Sequence, residues 1–95
     1  MSIKLSDLAE QSLNEIFNYY MENADFDVAE SVEVRIISQI KAMSGFEKAL
    51  PRSEIYPTTR KLVISKIPYV AFIRENQYGE WEVIDIVHTS RRLPK

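Results

Sequence analysis

His88 is the only histidine in the chain, and histidine is the side chain that ordinarily gains or loses a proton near neutral pH. It ends the run Trp81-Glu82-Val83-Ile84-Asp85-Ile86-Val87-His88 and is followed by Thr89-Ser90-Arg91-Arg92-Leu93-Pro94. A proton-transfer group beside guanidinium groups suits chemistry at a phosphate, where one group moves protons and the others meet the charge that develops on oxygen. Arg60, Arg74, Arg91 and Arg92 are the candidate donors, and Tyr56 or Tyr69 offers a ring on which a single-stranded base can stack. The same residues have a plainer reading. A histidine at a strand end can fasten the tail that follows by bonding a backbone carbonyl or a carboxylate, and Arg60 can pair with Glu54, Glu82 or Asp85.

Other chemistries find less support. Glu80 and Glu82 stand at the i, i+2 spacing of one strand face, a pair that superficially matches a glycosidase acid and base, but a domain this small offers no obvious sugar cleft. Asp25, Asp27, Glu30 and Glu33 read as helix caps and a solvated face, with some capacity to attract a basic partner segment. Trp81 is expected to pack a sheet edge. The chain has no cysteine, so disulfides, thiolate metal sites and a cysteine nucleophile are excluded, and one histidine makes a histidine-based metal centre improbable. No cofactor is expected.

At 95 residues, 45% hydrophobic and 27% charged, the chain reads as a single domain spanning residues 1–95 that buries about two thirds of its unfolded surface. The N-terminal Met1-Ser2-Ile3-Lys4-Leu5-Ser6-Asp7 lacks the apolar core of a signal peptide, and no stretch approaches the ~20 apolar residues that cross a bilayer. A cytoplasmic protein is expected. The net charge of -2 hides an asymmetry: residues 1–50 carry four bases against nine acids, and residues 51–95 eight bases against five acids.

The elements that must position these residues follow from periodicity. Ile3 to Ser6 suits a short opening strand, with Ser6 or Asp7 capping a helix. Ala9, Leu13, Ile16, Phe17 and Tyr20 make one apolar face of that helix, which ends near Glu22 or Asn23. Asp25 and Asp27 compete as the next cap, and Asp27 with Glu30 has the form of a capping box. The second helix presents Ala29, Val32 or Glu33, Ile36, Ile37, Ile40 and Met43, and Gly45 can end it in a left-handed conformation. The short link from Asn23 to Phe26 makes the two helices an antiparallel hairpin. Phe46 to Pro57 is irregular, with a short helical turn before Pro51. Residues 60–66, 69–75 and 81–88 are rich in β-branched and aromatic side chains and sit close enough for hairpins. The fold expected is α+β: an N-terminal strand and an antiparallel helical hairpin packed on a C-terminal antiparallel β-sheet.

Taken in order, these segments resemble the RelE/ParE superfamily of bacterial toxins along nearly the whole chain. The resemblance is carried by Leu13 to Tyr20 in the first helix, by Arg52 eight residues before Arg60, by Thr59-Arg60-Lys61-Leu62-Val63, by Pro68-Tyr69-Val70 and by His88 to Pro94. Two features depart from the pattern: Pro51 replaces the usual loop glycine, and the chain is acidic where many members are basic. The resemblance is greatest to the ParE branch. It implies the toxin of a type II toxin–antitoxin pair that inhibits DNA gyrase by protein contact, with Arg60, His88, Arg91 and Arg92 as target-binding residues, since interface anchors are most often Arg, Trp and Tyr. The alternative is the RelE branch, a ribosome-dependent mRNA endonuclease, in which His88 and Arg60 would be catalytic; the absence of any aromatic residue after His88 departs from that branch. In either case the resemblance implies a cognate antitoxin that folds over the helical hairpin and sheet in a hetero-oligomer, with Leu13, Phe17 and Tyr20 as its binding residues. Phe17 and Tyr20 are then expected to be partly exposed in the isolated chain.

Overall fold

The computed structural model describes residues 3–54 and 58–90. The chain runs as strand β1 (Lys4–Leu5), helix α1 (Asp7–Asn23), helix α2 (Phe26–Ala42), a 3-10 turn (Glu47–Ala49), and strands β2 (Arg60–Val63), β3 (Tyr69–Glu75) and β4 (Trp81–His88). The architecture is α+β, a helical hairpin on one face of a four-stranded sheet of order β1-β4-β3-β2. β2, β3 and β4 form an antiparallel meander, whereas β1 lies parallel to β4, Lys4 opposite Glu82 and Leu5 opposite Val83. The sheet is therefore mixed. A parallel neighbour requires a long crossover, and the connection here contains everything between β1 and β4.

Ser6 starts α1 and ties it to the far end of the chain. Its hydroxyl accepts from the Ala9 amide at 3.0 Å and donates to the Ile84 carbonyl at 3.0 Å, while its amide donates to the Val83 carbonyl at 2.9 Å. One residue thus satisfies an orphan donor of the helix and continues the pairing of β1 along β4. For α2 the cap is Asp25, whose carboxylate accepts from the Val28 amide at 2.9 Å. The capping box expected at Asp27 and Glu30 is not used, because the helix begins at Phe26 and leaves Asp27 inside its first turn. The inter-helix link shrinks to Ala24 and Asp25, and Phe17 meets Phe26 edge to face at 6.1 Å across its mouth. Gly45 beyond α2 adopts φ +90°, the left-handed backbone for which glycine has no steric penalty.

α1 buries Ala9, Leu13 and Ile16, and α2 buries Ala29, Val32, Ile36 and Ile40. The α2 stripe thus passes through Val32, not Glu33. With Leu62, Ile64, Tyr69, Ala71, Ile73, Val83 and Ile86 from the sheet, most of these side chains form one core. β4 carries an irregularity opposite the Phe72–Ile73 step: Phe72 faces Asp85, but Ile73 faces Val83. The unpaired Ile84 is the extra residue of a bulge. Beside it, the Asp85 carboxylate accepts from its neighbour's amide on Ile86 at 2.8 Å and from Ser12 Oγ on α1 at 2.7 Å.

The outer edge of β2 is largely closed. The Lys61 amide donates to the Pro51 carbonyl at 3.0 Å, and just beyond the strand the Ser65 amide donates to Gln39 Oε1 at 2.9 Å, with Gln39 Nε2 returning a bond to Ser65 Oγ at 2.8 Å. Occupied edge donors blunt a strand against pairing with another chain.

Candidate functional site

His88 ends β4 opposite Tyr69, the first residue of β3, and the two rings meet edge to face with centroids 5.1 Å apart. The Ser90 amide donates to His88 Nδ1 at 3.0 Å, and Ser90 Oγ lies 2.7 Å from the same nitrogen. A backbone N–H can only donate, so Nδ1 must carry its lone pair and the ring proton belongs on Nε2. This arrangement does fasten the chain after the strand, though by accepting from an amide instead of bonding a carbonyl or carboxylate.

Arg60 is elsewhere. It opens β2 opposite Ile73, four residues along β3 from Tyr69, which at strand spacing is about 13 Å, with a further strand between Arg60 and β4. Arg60 and His88 therefore stand on either side of β3, four of its residues apart. The Arg60 guanidinium is committed instead to the loop before it, Nη1 donating to the Leu50 carbonyl at 2.7 Å and to the Lys48 carbonyl at 3.2 Å. None of the expected partners Glu54, Glu82 and Asp85 accepts from it among the described residues. Asp85 is taken by Ser12, and Glu82 lies 3.5 Å from Arg74. Glu80 lies 3.9 Å from Lys4, so both carboxylates of the i, i+2 pair have basic neighbours. Arg91, Arg92 and Tyr56 lie outside the described residues.

The residues that do come together flank a groove of about 610 Å³ between α1 and the ends of β3 and β4, and a separate hollow measures about 430 Å³. Ser12, Glu15, Ile16, Tyr19 and Tyr20 line the groove from the helix, and Tyr69, Ile86, His88 and Ser90 from the sheet. The smaller hollow, on the outer face of α2, is lined by Asp27, Glu30, Ser31, Val34, Arg35 and Ser38. Helical spacing explains the first wall: Ser12, Ile16 and Tyr20 succeed one another at i, i+4, as do Glu15 and Tyr19 beside them. Tyr19 and Tyr20 touch edge to face at 5.1 Å.

Of the three α1 residues expected to meet an antitoxin, Leu13 is 7% exposed and belongs to the core. In the isolated chain Leu13 therefore packs inward, unlike the two aromatic residues of the same face. Phe17 and Tyr20 are partly exposed. Sequence reasoning singled out His88, Tyr69 and Tyr20 of the groove but passed over Glu15, Tyr19 and Ser90. Glu15 and Tyr19 lie on the flank of the apolar stripe, where the i, i+4 relation was legible; the role of Ser90 depends on the chain turning back at the strand end, which periodicity does not report.

No protein-family model matches the sequence, and no curated protein matches it. Among solved structures, the fold matches a chain of the "Chromosomal ParDE TA system from P. aeruginosa" with a TM-score of 0.85 and 22% sequence identity, over 95% of this chain and 97% of that one. The likeness spans the strand, helical hairpin and meander together, the arrangement that the RelE/ParE resemblance implied.

Proposed function

We propose that this chain is the toxin of a type II toxin–antitoxin pair, that it is ParE-like, and that it inhibits DNA gyrase by protein contact until a cognate antitoxin covers it. The observation that carries this reading is the near end-to-end fold match to a chain of a ParDE system. The geometry around His88 supports the ParE branch over the RelE branch. An endonuclease needs its proton-transfer group and its phosphate donors around one reacting atom, whereas among the described residues Arg60 bonds the Leu50 carbonyl, Arg74 neighbours Glu82 and His88 bonds Ser90. A toxin that works by contact needs only a shaped surface, and on this reading His88 and the Arg91, Arg92 tail form part of it. Phe17 and Tyr20 are the helix residues an antitoxin would cover. Among the described residues no helix is long and apolar enough to cross a membrane, and gyrase as target implies a cytoplasmic site of action.

The test is a supercoiling assay, with purified protein added to gyrase, ATP and relaxed plasmid. Inhibited supercoiling or trapped linear product is expected. Unaffected gyrase together with cleavage of mRNA on translating ribosomes would replace this reading with the endonuclease one. His88→Ala then separates the mechanisms, since loss of an acid or base costs about two to four orders of magnitude in rate, while loss of a contact weakens gyrase inhibition only modestly.

A further inference from the structure

We infer that the groove between α1 and the ends of β3 and β4 seats an arginine side chain carried by a segment of the antitoxin, an assignment that rests on the toxin–antitoxin reading above. Three tyrosines and the His88 ring contribute to its walls. Aromatic faces attract cations through the ring quadrupole, and a guanidinium, being planar and weakly hydrated, stacks on them better than an ammonium does. Glu15 stands on the same wall with its side chain exposed, and it forms no ion pair among the described residues. Behind Ser12 lies a second carboxylate, Asp85, at 2.7 Å from the hydroxyl.

Nothing in the described lining balances those charges. Its single basic side chain is His88, whose Nδ1 is already engaged by the Ser90 amide. Among the described lining residues an anionic ligand would meet the Glu15 carboxylate and neither lysine nor arginine, whereas a guanidinium can stack on tyrosine and fork to Glu15. The surroundings favour the same sign, since residues 1–50, which supply both helices, carry nine acids against four bases. Charge of one sign over such a face steers a partner of the other. At about 610 Å³ the cleft lies within the range of pockets that enclose a ligand of several side chains' bulk, so flanking antitoxin residues can enter beside the arginine.

Two measurements on the intact chain test this. In the first, N-acetyl-arginine amide is titrated into the protein and the tyrosine and histidine ring resonances are followed by NMR. Saturable shifts at Tyr19, Tyr20, Tyr69 and His88 are expected, absent with N-acetyl-glutamine amide and lost in Glu15→Gln. Shifts that are absent, or unchanged in Glu15→Gln, overturn the assignment whatever the protein's function. In the second, antitoxin affinity is compared for wild type, Glu15→Arg, Tyr19→Ala and Glu75→Arg, the last a control charge reversal at the exposed far end of β3. Glu15→Arg is expected to raise Kd by about tenfold or more, as loss of a close interfacial charge pair does, and Tyr19→Ala by a smaller factor; Glu75→Arg should change little. Tight antitoxin binding that ignores Glu15→Arg sinks the groove assignment and leaves the toxin reading standing. No antitoxin binding by wild type sinks the toxin reading and, with it, the antitoxin as occupant. Self-association in sedimentation that Glu15→Arg abolishes would instead make a second copy the occupant and overturn the assignment. All three positions are solvent-accessible, and matching thermal melts establish that each variant is folded.

Discussion

Replacing Arg60 by alanine should unfold the chain more readily before it affects any target. The guanidinium of Arg60 holds the segment before β2 through the Leu50 carbonyl at 2.7 Å and, less closely, the Lys48 carbonyl at 3.2 Å. Hydrogen bonds to a charged group contribute about 1.5–3 kcal/mol each when they are short and shielded. The longer bond is exposed to water, which replaces it at little cost, so the sum is taken as about 2 kcal/mol. For a domain of this length that lowers Tm by about 8–16 °C. Arg60→Lys keeps the charge but cannot reproduce the planar fork, and should fall between wild type and Arg60→Ala. The assay is thermal unfolding by circular dichroism, run beside gyrase inhibition normalised to the folded fraction. A variant that melts with wild type yet loses inhibition would refute the reasoning and make Arg60 a direct target contact. Lower Tm with inhibition intact per folded molecule is the expected pair of results.

The remaining predictions concern the elements that carry the groove. Asp25→Ala should cost about 1 kcal/mol by removing the α2 cap, with Asp27→Ala costing clearly less; equal losses in urea titrations would contradict the cap assignment. Ile36→Ala, at a position with no exposure, should cost about 2–5 kcal/mol, read from the same titrations, and a loss under 1 kcal/mol, within the scale of surface changes, would show that the core is not packed around it. Gln39→Ala opens the edge amide of Ser65 and should lower stability by about 1 kcal/mol, with greater aggregation of the purified variant measured by light scattering. Antitoxin addition should slow amide exchange along the C-terminal half of α1 around Phe17 and Tyr20, and unchanged exchange there would count against those two as contacts.

Much of the chain was legible because its determinants are local. The stripes of α1 and α2, a helix start at Ser6 or Asp7, the helical turn before Pro51 and the spans of β3 and β4 each depend on residues within a few positions of one another, so spacing alone reports them. Which of two competing carboxylates caps α2 was not, since both Asp25 and Asp27 have suitable chemistry and only the position of the first helical residue separates them. Nor was the depth of each stripe residue: Leu13, Phe17 and Tyr20 belong to one face, but only the placement of the sheet buries the first and leaves the others at its margin.

By itself, then, the sequence determined an α+β fold, a helical hairpin followed by a meander, and a histidine at the end of the last strand. The tertiary structure alone decided that β1 joins β4 in parallel, that Arg60 turns to the carbonyls of Leu50 and Lys48, and that His88 meets Tyr69 and Ser90 without an arginine beside it among the described residues. The physical reason is range. Periodicity records which side of an element is apolar, whereas the partner of a long polar side chain depends on strand register and on which acceptors the loops leave unpaired, and those are properties of the folded chain.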